Sequence, residues 1–123
     1  MFDSVSIKAL AAVSRAPFLI LGPLVVLLGI STAYHQSGDW HWLRVALVLL
    51  GAVAAHVAVN ALNEYADFRS GLDNNTERTP FSGGSGWLPA HPDHAPLALK
   101  LGIVALLAMI AVGLYLTFSG APW

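Results

Sequence analysis

Residues 43–73 read LRVALVLLGAVAAHVAVNALNEYADFRSGLD, and the change of composition within this stretch decides the fold. Its first half is apolar apart from Arg44 and His56, which is the pattern of a helix whose solvent is hydrocarbon. Its second half turns polar without losing helical spacing: Asn60, Asn63 or Glu64, and Asp67 fall at i, i+3/i+4 and i+7, so they share one helical face. Gly71 then predicts the helix end, letting Asp73 fold back toward that face.

Two further apolar stretches flank this one. A membrane-crossing helix needs roughly 20 mostly apolar residues for a hydrocarbon core of about 30 Å, and three spans meet that length, at about 17–34, 43–63 and 95–118. Pro23 lies inside the first and predicts a kink. Ahead of it, Phe2 to Ser14 mixes Val5, Leu10, Ala12 and Val13 with Asp3, Ser4, Ser6 and Lys8, the composition of a short interfacial helix. The expected fold is an all-α membrane protein of three transmembrane helices plus a short N-terminal interfacial helix. A signal peptide competes for the first span, with Ser31-Thr32-Ala33 as its cleavage site, but the long, proline-bearing run and the two later spans argue against it.

The whole chain supports this class. Of 123 residues, 56% are hydrophobic and 11% charged, against about 45–50% and about 25% in soluble domains. Six Lys and Arg nearly balance seven Asp and Glu, and the cations are scattered, so no phosphate-tracking face for nucleic acid exists. The absence of cysteine removes disulfides, thiolate catalysis and Cys-based metal sites. Lys8, Arg15, Arg69, Arg78 and Lys100 flank one side of the spans and Arg44 alone the other, which predicts a cytoplasmic N-terminus and a cytoplasmic 64–94 loop in the cell (inner) membrane.

Residues 60–86 hold four of the seven carboxylates together with four asparagines and two arginines. Carboxylate and amide oxygens converging at a membrane interface suit Mg²⁺, which takes one or two carboxylates and fills its octahedron with water and substrate phosphate. Arg69 and Arg78 could clamp the same phosphates, and the Ser82-Gly83-Gly84-Ser85-Gly86 run could offer backbone N–H groups. The plainer reading is a solvated acidic rim beside a flexible Gly/Ser loop.

The stretch Asn60-x-x-Asn63-x-x-x-Asp67-x-x-x-Gly71-x-Asp73, with Arg78 and Gly83-Gly84-x-Gly86 after it, resembles the first aspartate-rich motif of the UbiA-type membrane prenyltransferases. It looks closest to the dihydroxynaphthoate (menaquinone-type) branch. Arg15-Ala16-Pro17-Phe18 is similar to the Arg-x-Pro-Phe opening of many members, so the resemblance runs the length of the chain. It implies transfer of a prenyl group from a polyprenyl diphosphate to an aromatic acceptor, with Mg²⁺ as cofactor. Asn63, Asp67 and Asp73 carry over as metal-diphosphate residues, with Asp67 and Asp73 as the catalytic pair and Arg78 as a diphosphate contact. Asn60 and Arg69 stand beside them, and Glu64 replaces the family's frequent Asp as a further candidate ligand.

The family forms a larger bundle with a second acidic motif facing the first. The resemblance therefore implies that this chain is the N-terminal part of a UbiA-like domain, inactive until missing C-terminal helices or a partner chain complete it, since water would quench a carbocation at an open wall. The competing functions are a non-catalytic three-span subunit whose acidic loop docks a partner, and an ion pathway through His56, Asn60 and Asp67. His91 and His94 read as a turn and helix cap with Asp93 in preference to a zinc site, Trp40 and Trp42 as an interfacial belt, and Gly51, Ala52, Ala54, Ala55 and Ala58 as a close helix contact.

Overall fold

The computed structural model describes residues 4–79 and 83–119, together with the backbone but not the side chains of Ser4, Val5, Asp73 and Asn74. Six α-helices follow in order: α1 Ser4–Val13, α2 Leu21–Ser37, α3 Trp42–Ser70, α4 Leu72–Asn75, α5 Trp87–Ala90 and α6 Ala95–Phe118. Short 3-10 turns at Ala16–Phe18 and Pro92–His94 lead into α2 and α6. Three segments, Ala16–Ser37, Trp42–Ser70 and Pro92–Phe118, are long and apolar enough to cross a membrane, and no strand occurs among the described residues. The protein is an all-α membrane protein.

The helix lengths place the polar segment. At about 1.5 Å per residue, the 29 residues of α3 run ~44 Å, more than the ~30 Å of hydrocarbon. With Trp42 anchored at one boundary, the excess falls at the other end, carrying the last turns from about Ala61 onward into the interface. Gly71 stops the helix at φ 77, a left-handed conformation that costs glycine nothing and lets its N–H reach the Phe68 carbonyl at 3.2 Å.

α3 and α6 form the tightest seam, and small residues make it. Ala54, Ala58 and Ala61 of α3 are buried, as are Ala98, Gly102 and Ala105 of α6. At Gly102 the approach is so close that an added Cβ would stand 2.6 Å from Leu62 Cγ, while at Gly51 it would meet Val112 Cγ1 at 3.3 Å. Leu62 faces Gly102 and Gly51 faces Val112, so the helices run antiparallel. Without a hydrophobic drive between helices in lipid, backbone proximity of this kind supplies the packing energy.

Pro23 does not kink α2. The helix begins at Leu21, so Pro23 sits in its first turn, where the missing N–H had no intrahelical partner to lose. The 3-10 turn runs on into α2 through Leu19 and Ile20, both of which keep right-handed helical dihedrals. α2 buries none of its residues and meets α3 at Gly22, where an added Cβ would lie 3.4 Å from His56 Nδ1.

α1 is tied to the rest by its apolar side. Val13 packs with Leu88 of α5 and with Ala95 and Ala98 of α6, and Tyr65, Phe68, Trp87 and Leu101 close around them. This cluster lies where α3 becomes polar, so the site below rests on the best-buried part of the chain.

Candidate functional site

The polar face of α3 is divided by burial. Successive helical residues are rotated by about 100°, so Asn63 and Glu64 lie on opposite edges of the face that Asn60 and Asp67 centre. Asn63 is exposed and Asp67 partly so; Glu64 is completely buried and Asn60 half-buried.

On the exposed edge, Asn63 Nδ2 donates to Asp67 Oδ2 at 3.4 Å, a long and therefore weak bond between neighbouring turns. Asn60 Nδ2 donates to the Ser14 carbonyl at 2.8 Å, pinning the end of α1 against α3. Arg69 is exposed in the last turn of α3, where a cation complements the helix dipole.

On the buried edge, Glu64 meets the glycine-rich loop. The Ser85 backbone N–H donates to both carboxylate oxygens, at 3.2 Å to Oε1 and 3.0 Å to Oε2, and the Ser85 hydroxyl donates to Oε1. Arg15 Nη2 stands 3.8 Å from Oε2. Arg15 adopts the left-handed region at φ 52, the turn that carries the chain from α1 toward the first span and presents the guanidinium to Glu64. Burying a carboxylate is costly unless it is paired and hydrogen-bonded, and these groups meet that requirement.

The loop owes its path to glycine. Gly83, Gly84 and Gly86 take φ of 87, 75 and 73, and Arg78 lies in the space that the missing side chains of Gly83 and Gly86 leave. An added Cβ at Gly86 would stand 3.0 Å from Arg78 Nε, and one at Gly83 3.0 Å from Arg78 Cα. The same loop therefore holds Arg78 on one side and Glu64 on the other.

Beyond Ser85, the Trp87 N–H donates to Ser85 Oγ at 3.0 Å, and the Trp87 indole N–H donates to His94 Nδ1 at 2.8 Å. An indole N–H only donates, so Nδ1 of His94 is the acceptor in this bond. His91 and His94 stack with Trp87, at centroid separations of 4.2 and 5.9 Å. The expected Asp93 cap is absent: α6 has no side-chain cap bond, and Asp93 lies 3.7 Å from His94 Nε2 instead.

The sequence-derived residues are thus partly brought together. Asn60, Asn63 and Asp67 line one end of α3, Glu64 turns from the exposed pair into the protein, and the loop's Ser85 N–H goes to Glu64. The Asp73 side chain and Ser82 lie outside the described residues. Among the described residues no three His, Asp or Glu side chains gather as a metal cluster. What Asn63 and Asp67 offer is one carboxylate and one amide, a set that fits an ion bridged to substrate phosphates and not an all-protein cage. Sequence reasoning passed over Ser85 and Arg15 as partners of Glu64; the signal was a lone hydroxyl among glycines and an arginine at the mouth of the first span. No protein-family model, no curated protein and no solved structure matches this chain.

Proposed function

We propose that this chain supplies the diphosphate-binding wall of a Mg²⁺-dependent prenyl transfer from a polyprenyl diphosphate to an aromatic, dihydroxynaphthoate-like acceptor. The observation that carries the reading is the pairing of the exposed Asn63–Asp67 edge with a glycine loop that holds Arg78 and is fastened to the same helix through Ser85 and Glu64. Oxygens for a cation lie on the exposed edge of α3, and the loop packed around Arg78 is fastened to the buried edge of the same helix through Ser85 and Glu64.

In this reading Asn63, Asp67 and Asp73 hold the metal-diphosphate, and Arg78 and Arg69 donate to its oxygens, forks that match phosphate geometry. Bound there, Mg²⁺ neutralises charge on the departing diphosphate. Asn60, through the Ser14 carbonyl, keeps α1 against the wall, and the apolar spans accommodate the prenyl tail. The motif end, flanked by five of the six Lys and Arg, faces the cytoplasm.

A second reading, a three-span interaction subunit, draws on α2, which buries no residue and leaves Leu24, Val25 and Leu28 exposed.

The test is binding of geranylgeranyl thiodiphosphate to the full chain in nanodiscs, with and without Mg²⁺. Saturable, Mg²⁺-dependent binding is expected, with Asp67→Asn weakening it at least about tenfold, the scale of losing even an indirect metal contact. Ser31→Ala, at the opposite end, leaves it unchanged. Equal binding by wild type and Asp67→Asn overturns the prenyl reading in favour of the interaction subunit.

A further inference from the structure

We propose that Glu64 is the positioning residue of this motif, a latch that fixes the 83–86 loop and with it Arg78, and that it ligates neither metal nor diphosphate. The inference rests on the diphosphate reading above. It departs from the sequence pattern, which places Glu64 among the candidate ligands.

The geometry argues for the latch in three ways. Glu64 has no exposed surface while Asn63, the adjacent residue, is exposed, so the two side chains leave α3 in different directions. The oxygens of Glu64 are engaged: the Ser85 N–H reaches both, the Ser85 hydroxyl reaches Oε1, and Arg15 lies beside Oε2. A carboxylate has about four acceptor positions, and donors from two other parts of the chain surround this one. Finally, Ser85 is a node. Its hydroxyl donates to Glu64 and accepts the Trp87 N–H, which joins the loop to the Trp87–His94 stack ahead of α6.

Through Ser85 the loop does bind an anion, and that anion is the chain's own carboxylate. Three positive-φ glycines make a loop with little intrinsic preference for one conformation. Glu64 selects the one that places Gly83 and Gly86 around Arg78. The length of the side chain matters, since the reach from α3 to Ser85 includes the methylene that aspartate lacks.

The experiment compares wild type, Glu64→Gln, Glu64→Asp and Ser85→Ala in nanodiscs by two readouts: hydrogen exchange of the 85–88 amides, and Mg²⁺-dependent binding of inorganic pyrophosphate. The expected result in both Glu64 variants is exchange at Ser85 about tenfold or more faster, the scale of losing a hydrogen bond to a charged acceptor. Pyrophosphate binding weakens in parallel while the Mg²⁺ concentration giving half-maximal binding stays put. Ser85→Ala, which keeps Glu64 intact and removes the hydroxyl that donates to it, speeds exchange of the amide at position 85 and weakens pyrophosphate binding, which speaks for the latch even if the Glu64 variants fail to fold. Unchanged exchange in these variants overturns the latch. So does full pyrophosphate affinity in Glu64→Asp together with a shifted Mg²⁺ requirement in Glu64→Gln, the signature of a metal ligand. If wild type binds no pyrophosphate, the diphosphate reading fails by itself and the exchange arm still decides whether Glu64 holds the loop.

Discussion

The two ends of the bundle spend their polar groups differently. At the motif end, beside hydroxyls of Ser14, Ser70 and Thr76 that return to nearby backbone, side chains cross between elements distant in sequence: Asn60 reaches Ser14, and Glu64 reaches Ser85 and Arg15. Toward the other end, hydroxyls return to their own helix, Ser31 to Leu27, Thr32 to Leu28, Ser37 to Ala33 and Thr117 to Gly113. There α2 and α3 line a half-open pocket of about 360 Å³ with Val26, Ile30, Val45 and Val48, next to Tyr34 and Trp40, which with Trp42 form an edge-to-face chain. A hydroxyl bonded within its helix satisfies itself and fixes nothing else; a bond between elements fixes a geometry. Rigidity has been concentrated where the acidic face and the glycine loop meet.

Substitutions can break this contrast. Gly102→Val should have the largest effect, about 3 kcal/mol lost from the unfolding free energy in micelles, because Leu62 and its backbone N already occupy the space of a Cβ. Asn60→Ala should cost about 1 kcal/mol in the same assay through the lost bond to Ser14, and should free the end of α1 to exchange faster. The sign should reverse for Gly29→Ala and Gly113→Ala, where an added Cβ meets nothing within 4 Å: each should gain about 0.5–1 kcal/mol from helix propensity. Smallest of all, Ser31→Ala should stay within about 0.5 kcal/mol of wild type. A loss at Gly29 as large as that at Gly102 would erase the distinction between the ends.

Much of the fold was legible because hydropathy and period speak directly about helices in lipid. The run from Ala95 could be bounded from sequence, and Gly71 marked the end of α3 because a left-handed residue was needed there. Pro23 misled, since composition places a proline within an apolar run but not within a particular turn of helix. The candidate site was legible as a set of residue types on one face. Its division into an exposed edge and a buried edge was not, because 3.6-residue periodicity says which residues share a face and nothing about which neighbour covers it. Glu64 shows this most clearly: only the arrival of Ser85 from 21 residues away distinguishes a buried acceptor from a solvent-facing ligand.

That separation along the chain also orders how the protein can be made. A ribosome delivers Arg15 well before Glu64, and Glu64 before Ser85, so when α3 enters the bilayer a cation is at hand for its acid but the hydroxyl and amide are not. This polar centre is therefore completed by the loop that carries Ser85, not by the helix that bears Glu64 alone.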